Sequence, residues 1–161
     1  MFFEDRLNSE NFKIVRLNVE DFKKCSNIWD LKENENLTKK IYDDLRSGNR
    51  ITFVYKKLDT GDFLGEISLV FNDEKIYTIK NVRVYLSRLI VKDSCRHKGI
   101  GTALCKHLFD FCKNLEYKEI SLAVNLDNFK ALKLYHKLGF NCLLSVNHDE
   151  YGEYIVLLKK L

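Results

Sequence analysis

Residues 95–104 read CRHKGIGTAL, and three nitrogen-bearing side chains, Arg96, His97 and Lys98, run directly into Gly99-Ile100-Gly101. The chain has only 7 glycines, so two of them one residue apart need a reason. Ile100, Leu104, Leu108, Phe111, Cys112 and Leu115 follow at helical spacing, which puts the glycines at a helix start. The first N–H groups of a helix have no partner within it, and the aligned peptide dipoles place about half a positive charge there. Glycine removes the Cβ that would keep an anion off the backbone. These residues fit an anion site, and they equally fit a helix start with solvated charges; taken alone they leave both open. Two familiar anion loops are excluded. A P-loop needs its lysine after the glycines, and here Lys98 precedes them. A dinucleotide fingerprint needs a third glycine where Leu104 stands.

A second segment carries chemistry, VNLDNFKALKLYHKLGF at 124–140. Asn125 and Asn128 fall at a strand end and a helix start, where an amide side chain caps or binds. Ala131, Leu134, Tyr135 and Leu138 follow at helical spacing; alone, Tyr135 reads as a core aromatic with its hydroxyl at the edge. Glu66, in Gly65-Glu66-Ile67-Ser68-Leu69, is the best-placed carboxylate on a central strand. It is either a general base or an outward-facing strand residue. His148, Asp149, Glu150 and Tyr151 read as a solvated turn more readily than as part of a pocket. The five cysteines are odd in number and form no Cys-x-x-Cys pair, and Cys105 and Cys112 share a helix face at a spacing that suits burial. His107 lies near Cys105, but no third or fourth ligand is spaced to join them, so no metal site is expected.

The elements that must position these residues follow from the rest of the chain. At 161 residues it is long enough for one domain with a real core, and 45% hydrophobic with 31% charged content is ordinary for a globular protein. The 27 basic and 23 acidic residues give a net charge of +4, spread along the chain, which argues against a nucleic-acid partner. The opening MFFEDRLNSE has no apolar stretch of signal length, and no run approaches the ~20 apolar residues of a membrane span. A soluble protein of the reducing cytoplasm, with no membrane partner, is the expectation. Proline is absent, so Gly, Asn and Asp must mark the turns. The patterns predict a strand at 12–17, a helix capped by Asn18 and a helix over 37–46 stopped by Gly48. Strands at 51–58 and 63–71 come next, then one over 82–91. In that last strand Val82, Val84 and Leu86 alternate, Ser87 and Arg88 interrupt, and Leu89-Ile90-Val91 are all apolar, which implies deeper burial or a bulge. A helix over 99–115, a strand over 119–124, a helix over 128–138 and a hairpin of 140–146 with 154–158 complete an α/β sandwich around a largely antiparallel sheet.

Together the two segments resemble the GNAT superfamily of acyl-CoA-dependent N-acetyltransferases. That family carries Arg/Gln-x-x-Gly-x-Gly/Ala after its fourth strand, here Arg96-His97-Lys98-Gly99-Ile100-Gly101. It often carries Asn-x-x-Ala-x-x-Leu-Tyr-x-x-x-Gly-Phe, matched at Asn128, Ala131, Leu134, Tyr135, Gly139 and Phe140. The resemblance implies one domain with a three-layer fold, about seven strands flanked by about four helices. The break in alternation near Ser87–Leu89 lies where the family splays its fourth and fifth strands. It implies backbone N–H groups of 96–101, with Thr102, on the pyrophosphate of acetyl-CoA. Leu89, Ile90 and Val91 would pair with the pantetheine arm like an added strand, with Asn128 and Ala131 beside it. It implies direct transfer in a ternary complex, with the Val91 N–H for the oxyanion and Tyr135 as proton donor to the thiolate; the base is either Glu66 or, as in several members of the family, a water chain. The acceptor would be a small-molecule or peptide amine that no signature identifies, and the protein a monomer or homodimer. Two other readings stand beside this one: a noncatalytic acyl-CoA-binding regulatory module, and a phosphate-binding module of another fold.

Overall fold

The computed structural model describes residues 11–161, so the opening MFFEDRLNSE lies outside the described residues. The strands are β1 (Phe12–Arg16), β2 (Arg50–Lys57), β3 (Phe63–Val70), β4 (Arg83–Val91), β5 (Glu119–Asn125), β6 (Cys142–Asp149) and β7 (Gly152–Lys160). The α-helices are α1 (Glu35–Ser47), α2 (Ile100–Asn114) and α3 (Phe129–Lys137), with 3₁₀ segments at Val19–Asn27 and Asp93–Cys95. Hydrogen bonding orders the sheet β1-β2-β3-β4-β5-β7-β6. The β4–β5 pair is parallel, whereas β1–β2, β5–β7 and β6–β7 are antiparallel. This is the mixed α/β class with seven strands that the sequence predicts, and its element order agrees. The described residues form two compact units: 11–69 with Arg88–Leu108, and Val70–Ser87 with Phe109–Leu161.

The first unit shows where local signals hold and where they fail. Asn34 accepts the Leu37 N–H at 3.1 Å and starts α1 two residues before the expected position, and Gly48 ends it at φ +82°. The helix expected after Asn18 is a 3₁₀ segment instead, and the Asn18 side chain makes no cap bond. Its carbonyl accepts the Asp21 N–H at 2.9 Å, three residues on. Phe22, Cys25 and Ile28 recur every third residue, the period of a 3₁₀ helix, so this winding keeps all three on one side. They pack with Leu17, Ile41, Leu45, Val54 and Phe63. Leu89, Ile90 and Val91 in β4 are half-buried, so deeper burial does not explain their lost alternation.

In the second unit, β5 pairs with β7 over seven residues, from Glu119 opposite Lys160 to Asn125 opposite Tyr154. The β4–β5 ladder runs only from Arg83–Glu119 to Tyr85–Ser121. Arg83 Nε donates to Glu119 Oε1 at 2.9 Å at its start. Strand β6 begins at Cys142 rather than 140 because Phe140 is drawn into the core, where it is 1% exposed. Tyr151 N–H bonds to Asp149 Oδ1 at 2.8 Å in the turn before Gly152, whose φ is +112°.

Candidate functional site

The approach to α2 is built as an anion cradle would be. Lys92 N–H bonds to the Leu64 carbonyl at 2.8 Å, and the Asp93–Cys95 turn then lifts the chain off β4. His97 and Gly99 both lie in the left-handed region, at φ +61° and +78°. A residue with a Cβ there costs roughly 1–2 kcal/mol, and strain of this kind concentrates at functional sites. Left-handed residues alternating with ordinary ones turn successive N–H groups toward one concavity. Gly99 accepts the Ala103 N–H at 3.2 Å, so the helix proper starts at Ile100. Arg96, His97 and Lys98 are all exposed. Arg96 pairs with Asp93 at 2.9 Å, a surface contact worth at most about 1 kcal/mol and readily exchanged for another anion.

Two glycines nearby have opposite reasons. A Cβ on Gly65 would meet Ile100 Cγ2 at 3.1 Å, the Ile90 carbonyl at 3.3 Å and Leu104 Cδ1 at 3.3 Å. Close packing of β3 under α2 demands that glycine. A Cβ on Gly101 would sit 3.8 Å from Leu89 Cδ2 and 3.9 Å from Val91 Cγ2, ordinary contact distances. The protein's own packing gives no reason for glycine at 101. The same contacts place the start of α2 against Leu89 and Val91, so the structure brings together the residues read for the pyrophosphate and two of those read for the pantetheine arm.

Glu66 is 2% exposed, so it is no outward-facing strand residue. The Trp29 indole N–H donates to its Oε1. Burial pushes the Glu66 carboxyl up, and the Arg88 guanidinium, the Trp29 bond and Arg50 oppose that. Arg88 lies with its Cζ 4.3 Å over the Trp29 ring. Burial lowers the pKa of Arg88, and Glu66 and then Cys25 hold it up. The Cys25 thiol is pushed well up by burial and by Glu66. Asn27 fixes the chain just before Trp29, donating to the Phe63 carbonyl at 2.9 Å and accepting from Lys92 Nζ at 3.2 Å. Trp29 and Arg88 went unassigned at the sequence level. The visible signal was an arginine breaking the apolar run of a central strand.

The second unit holds the remaining sequence-predicted residues. Asn128 caps α3, its Oδ1 accepting the Ala131 N–H at 3.2 Å, and its side chain is exposed. Ala131 is half-buried one turn on. Tyr135 is 9% exposed and packs edge-on against Phe140 at 5.7 Å, as a core aromatic would. His148 and Asp149 end β6 and Glu150 and Tyr151 form the turn that follows; all four are exposed. The His107 ring meets Phe53 edge-on at 4.6 Å. No group of three metal-ligating side chains is found among the described residues. None of their helices is long and apolar enough to cross a membrane.

A family model described as the acetyltransferase (GNAT) family matches residues 13–140. N-alpha-acetyltransferase 30 of Schizosaccharomyces pombe is 31% identical over 88 residues, covering 55% of this chain and 57% of that protein. An uncharacterized N-acetyltransferase of Methanocaldococcus jannaschii is 33% identical over 79 residues, 47% of this chain and 51% of its own. The chain thus spans about half the length of these curated relatives. Among solved structures, Ard1 from Thermoplasma volcanium superposes with a TM-score of 0.72 at 17% identity, covering 94% of this chain and 98% of that one. An acetyltransferase from Elizabethkingia anophelis with acetyl-CoA bound gives 0.71 at 16% identity, covering 95% and 100%. At such identities the likeness is one of fold.

Proposed function

The chain belongs to the acetyltransferase (GNAT) family, and from that premise we propose that it is an acetyl-CoA-dependent N-acetyltransferase, one domain acting in the cytoplasm on a primary amine. The observation that carries this reading is the loop ahead of α2. Its two left-handed residues, three exposed basic or potentially basic side chains and a glycine at 101 that packing does not require suit a diphosphate approaching backbone N–H groups. Residues 96–102 would hold the diphosphate of coenzyme A. Leu89, Ile90 and Val91 would offer strand amides and carbonyls to the pantetheine arm, and Asn128 and Ala131 are assigned to cofactor binding as well. The free cysteines, three of them buried, suit a reducing compartment. Monomer and homodimer both fit this reading, which involves no metal, nucleic acid or membrane.

The chemistry asks four things of the protein. The acceptor must lose a proton to become a neutral nucleophile, and Glu66, with its carboxyl raised by burial, takes it directly or through water. The amine nitrogen then attacks the thioester carbonyl while the Val91 N–H stabilises the oxyanion. The carbon–sulfur bond breaks, Tyr135 gives its phenolic proton to the departing thiolate, and the proton that the nitrogen must still lose to become an amide returns to the tyrosine through solvent. No acyl-enzyme forms, because amine and thioester meet in one ternary complex. The test is thiol release from acetyl-CoA across a panel of amines, with Glu66→Gln as the diagnostic variant. Glu66→Gln is expected to lower kcat/KM by about 10²–10⁴-fold and to erase its acidic limb. An unchanged profile would remove Glu66 from the mechanism. The packing of Tyr135 against Phe140 favours one alternative, a noncatalytic acyl-CoA-binding module. Coenzyme A binding without thiol release from any amine would establish it.

A further inference from the structure

We propose that Arg88 binds a carboxylate on the acceptor, so that the substrate class is an amine that also carries a carboxylate. This rests on the acetyl-transfer reading above and narrows it. A guanidinium has five N–H donors in a planar fork and is almost always paired when taken out of water. Arg88 is half-buried, yet among the described residues no protein acceptor bonds any of its three nitrogens. Only its Nε is both shut away from solvent and unpartnered, so the outer end of the fork stays reachable. Glu66 is near enough to attract Arg88, but the hydrogen bond it accepts is from Trp29, not from the guanidinium. The guanidinium carbon lies 4.3 Å from the centre of the Trp29 ring, a cation–π contact that restrains the side chain. The side chain thus keeps its charge while its donors remain unused.

Position argues the same way. Arg88 immediately precedes Leu89, Ile90 and Val91, the segment assigned to the thioester arm. A carboxylate on the Arg88 fork would form charge-assisted, bidentate hydrogen bonds, the geometry for which arginine rather than lysine is suited. The carboxylate has two sources, the α-carboxylate of a free amino acid or an acidic side chain at the start of a peptide, and one experiment separates them.

Glycine is compared with glycinamide, and an amidated peptide beginning with Asp with the same peptide beginning with Asn, as acceptors for wild-type, Arg88→Gln and Arg88→Lys protein. In the wild type the carboxylate-bearing member of one pair is expected to have a kcat/KM about 10- to 100-fold higher, and the pair that differs identifies the source. Arg88→Gln should abolish that preference by lowering the carboxylate member further than its partner, beyond the fall common to both that follows from removing the guanidinium beside Glu66, and Arg88→Lys should restore part of it. Equal rates within both pairs, or an equal fall of both members in Arg88→Gln, would overturn the proposal. Because Trp29 is the chain's single tryptophan and lies under Arg88, its fluorescence gives a readout that needs no turnover. If no amine is acetylated, the transfer reading fails by itself, and titration of glycine and the Asp peptide in the presence of coenzyme A decides the inference. A saturable change in the wild type that is lost in Arg88→Gln supports a carboxylate site; no saturable change refutes it.

Discussion

Replacing Gly101 by alanine separates folding from ligand binding, because the two should respond with opposite signs. Gly101 is not in the left-handed region, and its Cβ would meet nothing closer than 3.8 Å. At such a site alanine stabilises by roughly 0.4–1 kcal/mol, chiefly by narrowing the unfolded ensemble. With an unfolding entropy of about 2.1 cal/mol/K per residue, this chain of 161 residues converts that gain to a Tm rise of roughly 1–3 °C. The same methyl group would stand where the diphosphate meets the helix N–H groups. A tenfold weaker Kd for coenzyme A, about 1.4 kcal/mol, is the expected minimum. At a ligand concentration of about 100 times the wild-type Kd, ligand adds about 2.7 kcal/mol to the wild type and only about 1.4 to the variant. These correspond to Tm increments of about 8 °C and 4 °C. Scanning calorimetry should therefore show the variant melting higher alone and lower with coenzyme A. Equal ligand-induced increments in the two proteins would refute the reasoning. Gly65→Ala is the internal contrast: contacts of 3.1–3.3 Å with Ile100, Ile90 and Leu104 should lower Tm without ligand.

Tyr135→Phe keeps the ring's contact with Phe140 and removes only the hydroxyl. If Tyr135 protonates the thiolate, single-turnover rates should fall about 10²–10⁴-fold with little change in acetyl-CoA affinity, and an unchanged rate would leave it a core aromatic alone. Burial pushes the thiols of Cys105 and Cys112 up to about 12, so at pH 8 roughly one in 10⁴ is thiolate. Native alkylation read by mass spectrometry should label the exposed Cys142 and the half-buried Cys95, while Cys25, Cys105 and Cys112 stay unmodified until the fold opens. Labelling of Cys105 in folded protein would contradict that packing.

What the sequence discloses depends on how far apart the interacting residues lie. The cap at Asn128, the stop at Gly139 and the apolar face of α2 are local, and each stands where its spacing puts it. The basic loop is also legible, because residue types and a helix start suffice to define it. The 3₁₀ winding after Asn18 is less so, since a cap residue and an acidic first turn are common to both helix types. Glu66 stayed between two roles because β3 is buried on both faces from Gly65 to Val70, so alternation says nothing of direction there. Glu66 and Arg88 come from β3 and β4 and Trp29 from the loop after the 3₁₀ segment, and only the folded chain brings the indole to both the carboxylate and the guanidinium.

The strand order β5-β7-β6 governs when this protein can finish folding on the ribosome. β7 is made after β6, yet it lies between β6 and β5 and pairs with both. Until residues 152–160 have been synthesised, β6 has no partner strand, and β5 presents an open edge that in the folded protein is covered for seven residues. An unpaired edge of that length, carrying Ile120, Leu122 and Val124, is a template for contact with other chains. A translation product that ends before Gly152 therefore leaves that edge uncovered and is expected to aggregate.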